Sequence, residues 1–205
     1  GTPDELMASK VAQFYRTAMD EATIERVGAA PLAPYLTAVA NLKTLADCVR
    51  LTGEWHRTVA SPLFHLIAAA DAKQSDWVIA GLVQGGLGLP ERDYYLGDDE
   101  RSKQIRRDYL EYMTRLLTLL GVGDAVAQAN QVLVFETKLA EISMKKEDLR
   151  DPVKNYNKMT LADVQKLSPA FDWSLYFASV GLPDPGPIDV GQLAFFRGLN
   201  DVAQA

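Results

Sequence analysis

The sequence predicts a mainly α-helical fold with one small antiparallel β-hairpin. Three observations lead there. Apolar residues recur at three- and four-residue spacing over most of the chain. Hydroxyl and carboxylate caps and glycine stops punctuate those stretches. One segment, from Leu63 to Gln84, breaks the period with apolar runs on either side of a polar turn.

Taken in order, Thr2-Pro3-Asp4-Glu5 is a strong helix start: a hydroxyl N-cap, proline at the first helical position, and acids facing the positive dipole end. Met7, Val11, Phe14, Tyr15, Ala18 and Ala22 then line one face, so a helix is expected to continue to Gly28. Pro31 opens a short second helix through Val39, and Thr44 caps a third that ends near Arg57. The runs "LFHLIAAA" and "WVIAGLVQ" around "DAKQSD" suggest paired antiparallel strands, although Pro62 is equally a helix start. Asp98 or Asp99 caps a long helix whose stripe is Ile105, Tyr109, Tyr112, Met113, Leu116, Leu117 and Leu120, stopped by Gly121. From Asp124 another helix follows, with Val126, Ala129, Val132, Leu133, Glu136, Leu139 and Ile142 inward. Thr160 and Asp163 form a capping-box-like pair, and Asp172 heads the short helix "WSLYFASV". The proline-rich stretch 181–187 cannot be regular, and a last helix covers Gln192 to Ala203.

Composition narrows the function. The 205 residues are 48% hydrophobic and 23% charged, enough for a real core. Net charge is −6 with no basic stripe, which argues against nucleic acid or an anionic membrane surface as partner. The longest apolar stretch is far short of the roughly 20 residues a spanning helix needs. The single cysteine, Cys48, falls in a helical stretch and reads as a small buried hydrophobe. The chain opens "GTPDEL" without methionine, which is expected of a processed or engineered end that hides any targeting segment.

Reactive constellations do not emerge. A catalytic zinc needs three protein ligands, yet the chain has only His56 and His65, nine positions apart and in no H-E-x-x-H. Each reads as a satisfied or solvated histidine. Ser61 lies near His65 but no third orienting group is visible, and no G-x-S-x-G occurs. Glu136, Glu141, Glu147, Asp148 and Asp151 read as solvated helix faces paired with Lys138, Lys145 and Lys146. No catalytic, cofactor-binding or metal-binding residue is therefore assigned. "QGGLGLPERDYYL", residues 84 to 96, fails as a phosphate cradle because Pro90 interrupts the fingerprint and no Lys-Ser/Thr follows. Gly85, Gly86 and Gly88 instead permit positive φ or close backbone approach, Pro90 sets the exit, and Tyr94 and Tyr95 are expected to bury their rings and keep their hydroxyls wet. The loop reads as a packing junction.

Those same residues carry a family resemblance. "GGLGLPERDYYL" resembles the G-L-G-L-P-x-R-D-Y-Y signature of the neprilysin and endothelin-converting-enzyme family of zinc metalloendopeptidases. Residues 135–165, "FETKLAEISMKKEDLRDPVKNYNKMTLADVQ", are similar to the family's E-x-x-L-A run followed by R-D-P-x-x-x-Y-N-x-M-T-L-A. The opening "SKVAQFYRTAMDEATIERVGAAPL" resembles the family's first helix, with Thr17 and Ala18 where animal members often carry Ser-Cys. The resemblance implies that residues 1–205 form a single helical lobe, the non-catalytic roof of an active-site cavity that restricts which peptides enter. It places the H-E-x-x-H helix, the zinc and a glutamate ligand in a catalytic lobe of the same polypeptide, absent from this chain. The implied partners are that lobe and peptide substrates, and the implied setting is extracytoplasmic. A lobe parted from its partner should show a sizeable apolar patch and self-associate through it. The competing reading is a stand-alone helical module that binds peptides or proteins without catalysis.

Overall fold

A computed structural model describes residues 2–203 and divides the chain into two compact units, Gly1–Asn41 and Leu42–Ala205. The mainly helical class with a small sheet is what it shows, with differences that have physical causes.

The first unit holds α1 (Pro3–Ala18), α2 (Glu21–Val27), a 3₁₀ turn (Ala30–Leu32) and α3 (Ala33–Ala40). Thr2 and Glu5 close a reciprocal capping box, the Glu5 N–H reaching the Thr2 hydroxyl at 3.3 Å and the Thr2 N–H reaching Glu5 at 2.9 Å. The single helix expected up to Gly28 is broken at Met19. Asp20 takes the Thr23 N–H at 3.1 Å and starts α2 afresh, the usual competition between a short acidic side chain and a continuing helix. None of the described side chains of this unit is buried, and Met7, Val11, Phe14 and Tyr15 stand 62–78% exposed.

The second unit contains the core. Its elements are α4 (Leu45–His56), β1 (Phe64–Asp71), β2 (Gln74–Gln84), α5 (Asp93–Leu96), α6 (Glu100–Leu119), α7 (Ala125–Ile142), a 3₁₀ turn (Asp148–Arg150), β3 (Lys158–Met159), α8 (Leu161–Leu167), α9 (Trp173–Val180), β4 (Ile188–Val190) and α10 (Leu193–Val202). Thr44, Asp99, Asp124, Thr160 and Asp172 cap their helices as expected, and Gly121 and Gly181 end theirs at positive φ.

The predicted hairpin is present but is only half of a four-stranded sheet in the order β1-β2-β4-β3. β1 and β2 run antiparallel from Phe64↔Gln84 to Ala70↔Val78, β4 lies parallel to β2 at Ala80↔Ile188, and β3 lies antiparallel to β4. Strands of two or three residues are too short to show a period in sequence, so β3 and β4 escaped the reading. The helical stripes were too generous as well. Tyr112 and Leu116 on α6, and Val126 and Val132 on α7, stand exposed, because each helix meets its neighbours over a narrower face than its apolar residues span.

Around this sheet sits an aromatic core of Phe64, Phe171, Trp173, Tyr176, Phe177, Phe195 and Phe196, all at most 1% exposed. Their rings meet edge-on or tilted at centroid distances of 4.7–6.4 Å. His56 closes the cluster. Its Nε2 lies 3.1 Å from the Pro62 carbonyl, which only accepts, so the proton sits there and Nδ1 accepts the Tyr176 hydroxyl at 2.6 Å. Burial holds the His56 pKa below the ordinary histidine value.

The hairpin tip hides a buried acid. Asp71 is fully covered and accepts the Lys73 N–H at 2.9 Å, the Tyr156 hydroxyl at 2.7 Å and the Lys158 ammonium at 2.5 Å. The Lys158 bond first, then its other donors, hold Asp71 well below the usual carboxylate range, and the Tyr156 hydroxyl is pushed up to about 12. Lys73 covers the Tyr156 ring at 4.7 Å, so the tip is clamped to the segment that leads into β3.

Replacing Tyr176 by Phe leaves His56 Nδ1 buried without its donor. Urea unfolding at neutral pH should show a loss of about 1–2 kcal/mol. Because the folded state holds His56 neutral, stability should be full above the ordinary histidine value of 6.5 and fall as pH drops through it. A His56→Phe variant should lose that acid-side dependence.

Candidate functional site: the glycine-loop groove

The loop from Gly85 to Arg92 leaves the end of β2, turns under α7 and delivers the chain into α5. Three sets of bonds hold it. At its start, the Gln84 side chain makes a paired contact with the Met144 backbone, donating to its carbonyl at 3.1 Å and accepting its N–H at 2.7 Å. The Gln84 N–H meets Gln192 at 2.8 Å, and Gln192 continues to Asn155 at 2.7 Å.

In the middle sits Glu136, buried on α7. It accepts the Tyr95 hydroxyl at 2.7 Å and the Tyr109 hydroxyl at 3.2 Å, with a further bond from the Gly88 backbone. Tyr95 in turn accepts the Leu89 N–H at 2.8 Å, so each end of that hydroxyl touches a different piece of the assembly. Burial raises the Glu136 pKa above the usual carboxylate value, and burial also pushes both tyrosines far up. At the far end Arg92 Nε donates to the Ala140 carbonyl at 3.1 Å, near the negative end of α7.

Two of the glycines are required for different reasons. A side chain on Gly88 would run into the Tyr109 hydroxyl and ring, so this position needs close approach. Gly86 has φ of 79° and lies against the Leu63 backbone, 2.8 Å from where a Cβ would stand. Leu63 has φ of 66°, and the Phe64 N–H reaches back to the Pro62 carbonyl at 2.8 Å, a tight turn that few side-chain-bearing residues adopt.

Between this loop and the sheet lies an open groove of about 520 Å³, walled by Ser61, His65 and Val83 on one side and Met144, Lys146 and Leu149 on the other. Its cations are locally matched, Lys146 with Glu91 at 3.5 Å and Arg92 with Asp93 at 3.7 Å. Ser61 and His65 therefore share a wall, whereas His56 is turned into the core. The carboxylates weighed from sequence do not converge. Glu136 is sealed by tyrosines, and Glu141 and Glu147 are exposed. Asp148 and Asp151 meet Lys154, at 2.6 and 4.0 Å, and not Lys138 or Lys145. Lys146 likewise crosses to Glu91. Among the described residues no group of three His, Cys, Asp or Glu side chains is placed to hold a metal ion. The role of Glu136 was missed from sequence, although an acid within an otherwise apolar stripe was a signal for it.

The chain thus presents a small mixed sheet under helices, with a glycine loop locked by a buried acid. Residues 2–205 match the N-terminal model of Peptidase family M13, and the chain belongs to that family. It is 36% identical to mouse endothelin-converting enzyme 1 over 206 residues, covering 93% of this chain and 26% of that protein. To the human endothelin-converting enzyme 1 it is 36% identical, covering 85% of this chain and 24% of that one. Among solved structures, the Mycobacterium tuberculosis zinc metalloprotease Zmp1 in complex with an inhibitor superposes with a TM-score of 0.83 at 24% identity, over 90% of this chain and 29% of that one. PepO from Lactobacillus shares the fold at a TM-score of 0.69 and 15% identity, over 86% of this chain and 28% of that one. The chain thus spans about a quarter of the length of the curated relatives it matches.

Glu136→Ala should destabilise the fold by about 2–4 kcal/mol, since two buried hydroxyls lose their acceptor. Glu136→Gln, which keeps the shape, should cost less than half of that in the same denaturant titration. The raised Glu136 pKa means its neutral form is favoured on folding. Its contribution is full below the ordinary value of 4.5 and is lost as pH rises through the folded value. The Gln variant should therefore gain stability relative to the parent as pH rises from 4.5. Gly88→Ala forces Tyr109 aside and should cost about 1–3 kcal/mol, read as a lowered thermal midpoint.

Proposed function

We propose that this chain is the non-catalytic lobe of a neprilysin-like zinc metalloendopeptidase, acting as one unit over residues 1–205. In this reading it roofs the active-site cavity and limits the size of the peptides that enter. The observation that carries the reading is the pairing of a family match along residues 2–205 with a sequence that contains no H-E-x-x-H. The zinc and its ligands then belong to the catalytic lobe of the same polypeptide. A roof contributes by excluding water and sieving substrate, while the metal-bound water performs hydrolysis elsewhere.

The apolar face of α1 supports this assignment. Leu6, Met7, Val11, Phe14 and Tyr15 are 59–78% exposed, the kind of surface that marks a site of contact with another protein segment. The occupant in this reading is the catalytic lobe, and self-association of the isolated chain follows from the same surface.

Three measurements test the proposal. Elemental analysis of the isolated chain should find no stoichiometric zinc, and it should hydrolyse no peptide. One tightly held zinc per chain overturns the assignment. In the complete parent protein, fluorogenic substrates of graded length should show a cutoff that relaxes when this lobe is loosened by Gly88→Ala. An unchanged length profile with intact zinc content would remove the sieving role.

A further inference from the structure

One side of the sheet is left unused by everything above. β1 is the terminal strand, so one side of its backbone has no strand partner. From His65 to Ala70 it has no Asp, Glu, Lys or Arg and no proline, and its register with β2 is unbroken until the shift at Ala70/Asp71. His65, Ile67, Ala68, Ala69 and Ala70 are all exposed. Sheet edges are normally blunted by lysines, prolines, early bulges or a covering element. Along this stretch there is no lysine, no proline and no early bulge.

The strand also opens onto the groove. His65 and its cross-strand partner Val83 form the groove wall together with Ser61. The volume of about 520 Å³ lies within the range of about 300–1,000 Å³ that encloses a small ligand.

We propose that β1 is a docking rail for an extended, largely uncharged peptide, which adds a strand to the sheet by backbone pairing and sends one end into the glycine-loop groove. Main-chain hydrogen bonds supply the affinity. Alternate side chains of the peptide fall on the face that carries His65, Ile67 and Ala69, which selects small or apolar residues at every second position. Because Lys146 and Arg92 are matched by Glu91 and Asp93, the groove asks for no charged end. A second copy of the chain pairing through the same edge would leave the groove empty, whereas a single extended strand occupies edge and groove together. This site stands whether the lobe roofs a catalytic chamber or acts alone.

The test is amide hydrogen exchange of the isolated chain with and without the blocked, uncharged peptide acetyl-Gln-Val-Thr-Val-Thr-Val-Gln-amide. Millimolar peptide should slow exchange of the outward amides between His65 and Ala70 by about tenfold. An analogue N-methylated at alternate residues should give no protection, and Ala69→Lys should weaken the effect at an unchanged thermal midpoint. Absence of slowing overturns the proposal, as does equal protection by the methylated analogue. Protection that grows with protein concentration in the absence of peptide assigns the edge to a second copy, and overturns it too.

Discussion

The buried carboxylate of Glu136 is the constraint from which the glycine loop takes its shape. An acid removed from water without a cation at hand is tolerated only when several donors converge on it. Tyr95, Tyr109 and the Gly88 backbone are those donors, and they come from α5, α6 and the loop itself. Satisfying one side chain of α7 therefore fixes the mutual placement of three other pieces. Gly88 follows from the same requirement, because the Tyr109 hydroxyl can reach Glu136 only by passing through the space a side chain would fill.

The rest of the second unit is organised by a similar economy of polar links around an apolar centre. The aromatic cluster supplies the bulkiest of the fully buried side chains, and His56 joins it by satisfying Tyr176 and Pro62 at once. Residues 148–157 carry no long element, yet their side chains bridge distant parts. Asn155 reaches Gln192, Asn157 reaches the Val190 carbonyl, and Tyr156 with Lys158 seizes Asp71 at the hairpin tip. A segment of this kind is ordered by its hydrogen bonds and not by its propensity.

Much of this was legible in the chain because the signals are local. Thr44, Asp99, Thr160 and Asp172 announce helix starts through chemistry that acts within three residues, and Gly121 announces a stop through its φ. What could not be read depends on contacts far apart in sequence. The pairing of β4 with β2 joins residues more than a hundred positions apart, and no periodicity encodes it. Asp20 was passed over because the apolar face of α1 carries through it. Asp71 looked like an ordinary turn acid until Tyr156 and Lys158 arrived from elsewhere. The glycine loop was read as a packing junction with wet tyrosine hydroxyls, yet Tyr95 turns its hydroxyl onto buried Glu136, an acid counted among surface charges as well as in the helix stripe.

The left-handed turn at Leu63 has a mechanical meaning. Its backbone presses on Gly86, so the entry to β1 and the exit from β2 touch at a point where neither has spare conformations. Bulk introduced at Gly86 would therefore be felt at the base of the hairpin as well as in the loop, so the two tolerate substitution as one joint.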